Sequence, residues 1–337
     1  MGRFVLRRLL FLIPQLFVVI VGTFLLLRVL PADPASKLAG IVSGPAAIKQ
    51  AKHALGLDVS IWTQLGRYLS GLVHWNFGRS WNDQLAVWAD VRDRFPVTIQ
   101  LIVMAFILAA LIAIPIGRAA AARRGGHVDK VVLGYSLFAG AQPDFWWGLL
   151  FVFLFTVKLH VFPVPTGLMS ATINPPNTVT HFAIIDAIIG GDWNALGDIL
   201  WHYCLPVFTL AFILAGPLIK MTRQTVLTVV NSDYVLYAHA AGLPPRTVRW
   251  TMLRNSLAPV LTLGGILFGY MLGGAVLIEY VFALPGLGLY ALNSTLALDY
   301  PSVEGSVVIM TAFSLLVYLV VDVLYAVMDP RVRYGDR

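Results

Sequence analysis

Residues 9–27 read LLFLIPQLFVVIVGTFLLL, a run without a charged side chain. An α-helix rises 1.5 Å per residue, so about 20 apolar residues cross a ~30 Å hydrocarbon core. Arg3, Arg7 and Arg8 precede the run, as basic residues precede the apolar region of a secretory signal peptide. That region is usually shorter, about 7–15 residues, and ends at a cleavage site with small residues. We therefore predict that residues 9–27 are a retained membrane-spanning helix.

The whole chain has the composition of a membrane protein. Of its 337 residues, 58% are hydrophobic and 12% are charged, and the mean hydropathy is +0.78. Soluble domains carry about 25% charged residues, so this chain has too little charge to cover a water-facing surface. The net charge of +7 is compatible with nucleic-acid binding. The basic residues instead follow membrane topology, and we predict no nucleic-acid partner.

Further apolar runs predict about six membrane-spanning helices in an all-α, polytopic chain. The additional runs are residues 97–117, 131–157, 205–219, 257–278 and 303–328. With the N-terminus inside, most of the 24 Lys and Arg fall in cytoplasmic segments, and the external ones lie mostly in one long loop. The positive-inside rule therefore predicts that both termini are cytoplasmic. In the large external segments we expect one or two short helices within residues 33–95 and an amphipathic stretch at residues 182–200.

The motifs of the common catalytic and metal sites are absent from the sequence. It contains no G-x-x-x-x-G-K-[ST] phosphate loop, no H-E-x-x-H and no G-x-S-x-G. The seven His are scattered, and the single cysteine, Cys204, excludes an intrachain disulfide or a C-x-x-C site. We predict no catalytic residue, no metal site and no cofactor bound by this chain. The energy for any transport would then come from an ion gradient or from another subunit.

Residues 233–255, DYVLYAHAAGLPPRTVRWTMLRN, interrupt the apolar pattern. Residues 231–233 are good helix N-caps, and residues 234–241 form a short helix pattern rich in small residues. Gly242 suits a left-handed position after a helix, and Pro244 and Pro245 suit the first turn of the next one. The stretch therefore predicts a cytoplasmic helix–turn–helix between two spans. Arg246, Arg249 and Arg254 lie on or near one face of the second helix.

The same stretch resembles the E-A-A-x-x-x-G loop of membrane subunits of ABC importers, in its dipeptide/oligopeptide form. Leu236-Tyr237-Ala238-x-x-x-Gly242 occupies the motif, with Leu236 and Tyr237 in place of its Glu and first Ala. Pro245 and the long 160–200 loop are also less usual for that family. Other stretches similar to the family extend over almost the whole chain: RRLLFLIPQL, LRVLPADP, LGLDVS, FGRSW, GGAVLIEYVFALPGLG, LDYPSVEG and VDVLYAVMDPRVR.

The resemblance implies a type I ABC importer transmembrane fold in a bacterial inner membrane. Residues 1–93 would hold the first span and an external segment, and residues 94–329 the core permease, with coupling helices at 233–255. The implied partners are a second, homologous permease in a heterodimer, two cytoplasmic ATPases and an external substrate-binding protein or lipoprotein. ATP and Mg²⁺ would bind in the ATPase subunits. The residues implied to couple this chain to an ATPase are Leu236, Tyr237, Ala238, His239, Ala241, Gly242 and Arg246.

Polar residues and glycines inside the spans are candidates for a substrate path or gate. Asp144 is expected near the middle of the third span, as a pathway carboxylate for a cation or as a carboxylate satisfied by neighbouring helices. Glu279, at the outer end of the fifth span, is expected to contact the binding protein, to shape the outer gate, or to be a solvated helix-end charge. Gly269 and Gly273 permit either close helix packing or a wide path. For Asp322 we expect a hydrogen bond between helices.

Three functions remain open at this point. The resemblance favours an importer of di- or oligopeptides, and the same type of permease also serves nickel complexes, glutathione and oligosaccharides. An ion-coupled secondary transporter would need energy coupling within this chain, usually with inverted repeats, and no repeat is visible. A membrane scaffold without transport would leave the polar residues in the spans unexplained.

Overall fold

The computed structural model describes residues 2–40 and 44–328, and it is helical throughout its regular parts. The predictions for residues 329–337, including the cytoplasmic C-terminal Arg331, Arg333 and Arg337, lie outside the described residues. The helices are α1 (Gly2–Val29), α2 (Pro34–Ala39), α3 (Pro45–Ala54), α4 (Ile61–Val73), α5 (Val87–Ala122), α6 (His127–Ala139), α7 (Asp144–Phe151), α8 (Ala183–Gly190), α9 (Trp193–Val230), α10 (Asp233–Ala240), α11 (Pro245–Val281), α12 (Leu287–Ala297) and α13 (Tyr300–Met328). A π-helical turn, Val152–Lys158, continues α7.

Five of these helices, α1, α5, α9, α11 and α13, are long and apolar enough to cross a membrane. A sixth span results if the bent pair formed by α6 and the α7 segment is counted as one. The prediction of about six spans is therefore confirmed. The helices α5, α9 and α11 have 36, 38 and 37 residues and extend well past the apolar runs. Since about 20 residues cross the hydrocarbon core, each also projects into the water on at least one side.

The predicted continuous span at residues 131–157 is wrong. The chain bends by 103° between α6 and α7. Pro143 causes the break, because it disfavours a helical residue before it and stands as the N-cap of α7. Asp144 is consequently the first residue of a helix rather than the middle of one. Backbone groups freed at such breaks are tolerated at membrane depth only where protein or a water-filled cavity surrounds them.

The centre of the molecule is the pair α5 and α9, which approach closely through small residues. Ala105, Ala109 and Ala113 recur every fourth residue on α5 and are fully buried. At Gly117, the next position in this series, an added Cβ would lie 2.7 Å from Thr222 Cβ and 2.9 Å from the Ile219 carbonyl oxygen. Lipid tails are as apolar as leucine, so membrane helices gain from close packing of this kind rather than from burial alone.

The outer segment before α5 folds onto the ends of α1 and α13. It contains α2, α3 and α4, three short helices where one or two were expected. The Arg28 guanidinium binds the Glu304 carboxylate at 2.5 Å and the Gln64 side-chain oxygen at 2.9 Å, so α1, α13 and α4 are joined at one point. The expected amphipathic stretch at 182–200 is divided at Gly191, whose left-handed backbone ends α8.

Candidate coupling and transport sites

The helix–turn–helix predicted at residues 233–255 is confirmed in its geometry. α10 ends at Ala240, and Gly242 follows with φ of +71°. The Gly242 N–H donates to the His239 carbonyl at 3.1 Å and the Leu243 N–H donates to the Ala238 carbonyl at 3.1 Å, which closes the helix end. Pro245 is the first residue of α11, and the second predicted helix is continuous with the following span.

One face of the hairpin packs against the rest of the protein, and the opposite face exposes apolar residues. Val235 and Val248 are buried, and the Asn255 amide donates to the Tyr234 hydroxyl at 3.0 Å, tying α10 to α11. Leu236 and Tyr237 are 71% and 74% exposed. Exposed apolar residues outside the lipid indicate a protein contact.

The remaining predicted coupling residues also lie on this hairpin. Ala238 is half-buried, whereas His239, Ala241, Gly242 and Arg246 are exposed. The structure therefore brings the whole predicted set to one surface between α9 and α11. Directly beside it is a cavity of about 620 Å³ between the C-terminal ends of α5 and α9 and the N-terminal part of α11. Arg118 and Arg249 line it, and Arg118 had no sequence signal of its own.

Asp144 lies at the break between α6 and α7 and is half-buried. Its carboxylate approaches Gly274 of α11, where an added Cβ would lie 2.7 Å from Asp144 Oδ2. The Tyr270 hydroxyl, one turn earlier on α11, interacts with the same carboxylate. Tyr270 was not singled out by the sequence, because its nearness to Asp144 depends on how α7 packs on α11.

Glu279 is wholly buried, so the expectation of a solvated helix-end charge is wrong. The Thr98 hydroxyl donates to Glu279 Oε1 at 2.5 Å and the Leu289 N–H donates to Oε2 at 2.8 Å. The Leu287 N–H donates to Thr98 in turn, at 2.8 Å. Glu279 thus joins α11, α5 and α12 from the inside, and in this arrangement it has no surface with which to contact a docked protein. Shaping an outer gate stays a prediction for it.

The two candidate path glycines differ in their surroundings. An added Cβ at Gly269 would lie 1.8 Å from the Tyr318 hydroxyl of α13, so this glycine serves close packing. Gly273 is exposed and has nothing within 4 Å of such a Cβ. The structure therefore separates Gly269, a packing position, from Gly273, a position on an open surface. The Asp322 carboxylate lies 3.3 Å from the Arg8 guanidinium of α1. This is a contact between helices, as expected, but it is an ion pair rather than a hydrogen bond between neutral groups.

A second polar network joins the segment before α5 to α12 and to the start of α13, and sequence reasoning missed it. Asp299 accepts hydrogen bonds from the Ser80 hydroxyl at 2.6 Å, the Trp81 N–H at 3.0 Å and the Ser302 hydroxyl at 2.8 Å. The Tyr290 hydroxyl donates to Ser302 at 2.9 Å. Burial raises the pKa of Tyr290 to about 12, so the hydroxyl stays a donor at any physiological pH. The stretches FGRSW and LDYPSVEG supply Ser80, Trp81, Asp299 and Ser302, and only the fold shows that they pair with one another and with Tyr290.

Comparison with known proteins assigns this arrangement to a family. The family described as "Binding-protein-dependent transport system inner membrane component" matches residues 113–334. The family described as the N-terminal part of the same kind of membrane component matches residues 1–102.

Curated relatives match this chain over nearly its whole length. The dipeptide transport system permease protein DppB of Escherichia coli (strain K12) is 35% identical over 342 residues, covering 99% of each chain. The di/tripeptide transport system permease protein DppB of Pseudomonas aeruginosa (strain UCBPP-PA14) is 36% identical over 334 residues, covering 98% of each. The probable D,D-dipeptide transport system permease protein DdpB of Escherichia coli (strain K12) is 37% identical over 318 residues, covering 94% of this chain and 93% of the relative.

These matches span both ends of the chain and include the α10–α11 hairpin and the second polar network. Because the family model covers well over half of the chain, membership does not depend on any single motif. A transporter named for its dependence on a binding protein implies an external binding protein and an ATPase as partners. The chain belongs to the binding-protein-dependent transport system inner membrane components, and it is a multi-pass membrane permease subunit of an ABC importer.

Proposed function

We propose that this permease forms half of a translocation path for di- or oligopeptides, with a second, homologous permease as the other half. The names of the relatives support the substrate class. Two ATPases would bind on the cytoplasmic side, where both termini of this chain would also lie. An external binding protein or lipoprotein would deliver the peptide.

The exposed hairpin between two very long helices supports the proposal that this chain is coupled to an ATPase. α9 and α11 run without interruption from the membrane to the hairpin, as helices of 38 and 37 residues. A force applied to Leu236 and Tyr237 is therefore transmitted along both helices as rigid rods. Closure of the two ATPases on ATP and Mg²⁺ would tilt α9 and α11 and open or close the path between the permeases.

The chain's own part in the mechanism is mechanical rather than chemical. Among the described residues, no group of three or more metal-ligating side chains occurs, and the sequence has no phosphate loop. We propose that ATP hydrolysis takes place wholly in the partner subunits. The hairpin receives the motion, the small residues of α5 and α9 keep the central pair together, and the break before α7 places Asp144 against α11.

Reconstitution tests this proposal. The chain is co-expressed with its second permease, its ATPases and its binding protein, and the complex is purified and placed in liposomes. We expect ATP-dependent uptake of a radiolabelled dipeptide that needs the binding protein. Uptake of a nickel complex, glutathione or an oligosaccharide instead would reject the peptide assignment but keep the importer. Uptake driven by a proton or sodium gradient without ATPase subunits would reject the importer mechanism.

A further inference from the structure

The inference concerns Asp144 and rests on the proposed function. Every other carboxylate in the described long or membrane-embedded helices has a cation, or N–H and O–H donors, within bonding distance. These pairs are Asp90 with Arg94, Asp93 with His181, Asp129 with Arg223, Asp198 with Ser170, Glu279 with Thr98 and Leu289, Glu304 with Arg28, and Asp322 with Arg8.

Among the described residues, Asp144 differs from all of these, because its recorded partner is a single hydroxyl and it has neither a cation nor a backbone N–H beside it. Within residues 2–40 and 44–328, no Lys, Arg or His nitrogen lies within 4.0 Å of its carboxylate, and the Tyr270 hydroxyl is its recorded side-chain partner. The break that carries Asp144 follows the 13 residues of α6, about 20 Å of helix, so as part of the sixth span it would lie at membrane depth. A carboxylate at that depth without a cation is costly unless it faces a cavity or a ligand.

The neighbouring surface of α11 is unusually polar for one that would face lipid. Its exposed positions follow one another at intervals of three or four residues, so they form a single stripe along the helix. The stripe consists of Thr262, Ile266, Tyr270, Gly273, Leu277 and Tyr280. Tyr270 is 61% exposed although it lies in the middle of the span. A stripe with two tyrosines and an open glycine fits a water-filled path facing the second permease better than it fits lipid.

We propose that Asp144 and Tyr270 form a binding station in this path for a primary ammonium group, the free amino terminus of a transported peptide. The carboxylate supplies the negative charge and accepts charge-assisted hydrogen bonds. The exposed ring of Tyr270 adds a cation–π contact. Gly274 lets the Asp144 carboxylate pack against α11, and the neighbouring Gly273 is open and adds no side chain to this surface, so the first residue of the peptide can approach. Because the carboxylate is only half-buried, water replaces the ligand easily and the peptide is released.

A carbodiimide cross-link tests the contact without relying on transport rates. The carbodiimide adds to the Asp144 carboxylate, the peptide amine attacks the activated carbonyl carbon, and a substituted urea leaves with an amide bond formed. The experiment uses the whole reconstituted complex turning over with ATP, binding protein and alanyl-alanine amide as the amine. We expect mass spectrometry to find the peptide attached at Asp144, and no attachment with the N-acetylated peptide. Labelling of other carboxylates alone, with Asp144 free of peptide, would overturn the proposal.

Substitutions provide a second readout. Asp144→Asn keeps the shape and removes the charge, and losing one ionic hydrogen bond predicts about ten-fold lower uptake of the dipeptide at low concentration. Asp144→Glu should recover a large part of that loss. The matched control is Asp322→Asn, which removes a charge from another span and should leave uptake near the original rate.

The outcomes separate this site from the proposed function. Peptide uptake by the original complex together with unchanged uptake by Asp144→Asn would overturn the binding station and leave the importer intact. Equal losses in Asp144→Asn and Asp322→Asn, with reduced yield of assembled complex, would show a structural role and also overturn it. If the original complex takes up no peptide, both proposals fall together.

Discussion

The role of a single residue in this protein depends more on the residues packed around it than on its own side-chain chemistry. Glu279 is a carboxylate near the outer end of a span, a position typical of a solvated charge, yet it is fully buried. The reason is Gly286, which lies in the turn that follows α11. A Cβ at Gly286 would come within 2.2–2.4 Å of three atoms of the Glu279 carboxyl group.

We therefore predict that Gly286→Ala lowers the stability of the outer end of the bundle. The methyl group would displace the carboxylate and leave Thr98 and the Leu289 N–H without their acceptor, at about 1–3 kcal/mol for each buried group. The apparent melting temperature of the detergent-purified complex measures the effect. Gly273→Ala is the matched control, because nothing lies within 4 Å of its added Cβ. Equal melting temperatures for the two variants would contradict the role given to Gly286.

At the scale of elements, the hairpin formed by α10 and the start of α11 depends on the backbone of one glycine. Gly242 has φ of +71°, which a β-branched residue adopts only with strain. An added Cβ there meets nothing within 4 Å, so the strain comes from the backbone and not from a clash.

Gly242→Val should therefore distort the α10–α11 turn and abolish uptake while ATPase activity continues uncoupled and membrane insertion is normal. The strain is of the order of 1–3 kcal/mol, enough to shift the turn but not to unfold the long helices. Uptake and ATP hydrolysis are measured on the same liposomes. Gly125→Val is the control, since Gly125 also has a positive φ of +79° and open surroundings in the loop between α5 and α6. Normal coupled uptake by Gly242→Val would remove the hairpin from the mechanism.

The outer clamp between α1 and α13 is a buried ion pair, Arg28 with Glu304, whose side chains are 12% and 4% exposed. Removing one partner leaves the other charge buried and unpaired, which costs about 3–5 kcal/mol, whereas removing both costs much less. We expect Arg28→Met and Glu304→Leu each to lower the apparent melting temperature strongly, and the double variant to recover part of the loss. Additive losses in the double variant would mean that the two residues act independently.

For the whole molecule, the arrangement of spans predicts which segments face the outside. The single cysteine, Cys204, can be changed to Ser to give a chain without thiols. In that background, Asp58→Cys between α3 and α4 should react with a membrane-impermeant maleimide in intact cells. Ala122→Cys, in the last turn of α5, should react only after the cells are permeabilised. Labelling of Ala122→Cys in intact cells would invert the proposed orientation.

The whole molecule also limits what this chain can do alone. α1 and α13 are mostly exposed on their outer faces, and the stripe on α11 is open along its length. A permease whose path is lined from one side only needs a second subunit to close it. This is the physical reason for expecting a pair of permeases, and it applies whichever substrate is carried.

The sequence by itself determined the features that depend on neighbouring residues. Apolar runs set the number of spans, because crossing the bilayer requires a helix of fixed length. Gly242 and Pro245 set the α10–α11 hairpin, because turns and helix starts depend on a few neighbouring residues. Apolar runs predicted continuous helices less accurately where a proline stands within the run. The run at 131–157 looked continuous, yet Pro143 broke it, since hydropathy does not distinguish a tolerated proline from a breaking one.

Only the tertiary structure decided which polar groups meet. Thr98 and Glu279, Ser80 and Asp299, and Arg28 and Glu304 are each more than 180 residues apart in the chain. Their pairing depends on how the helices pack, and packing depends on side-chain shape summed over whole surfaces. For the same reason the sequence marked Asp144 as a candidate but could not show that it lacks a cation or that Tyr270 lies beside it.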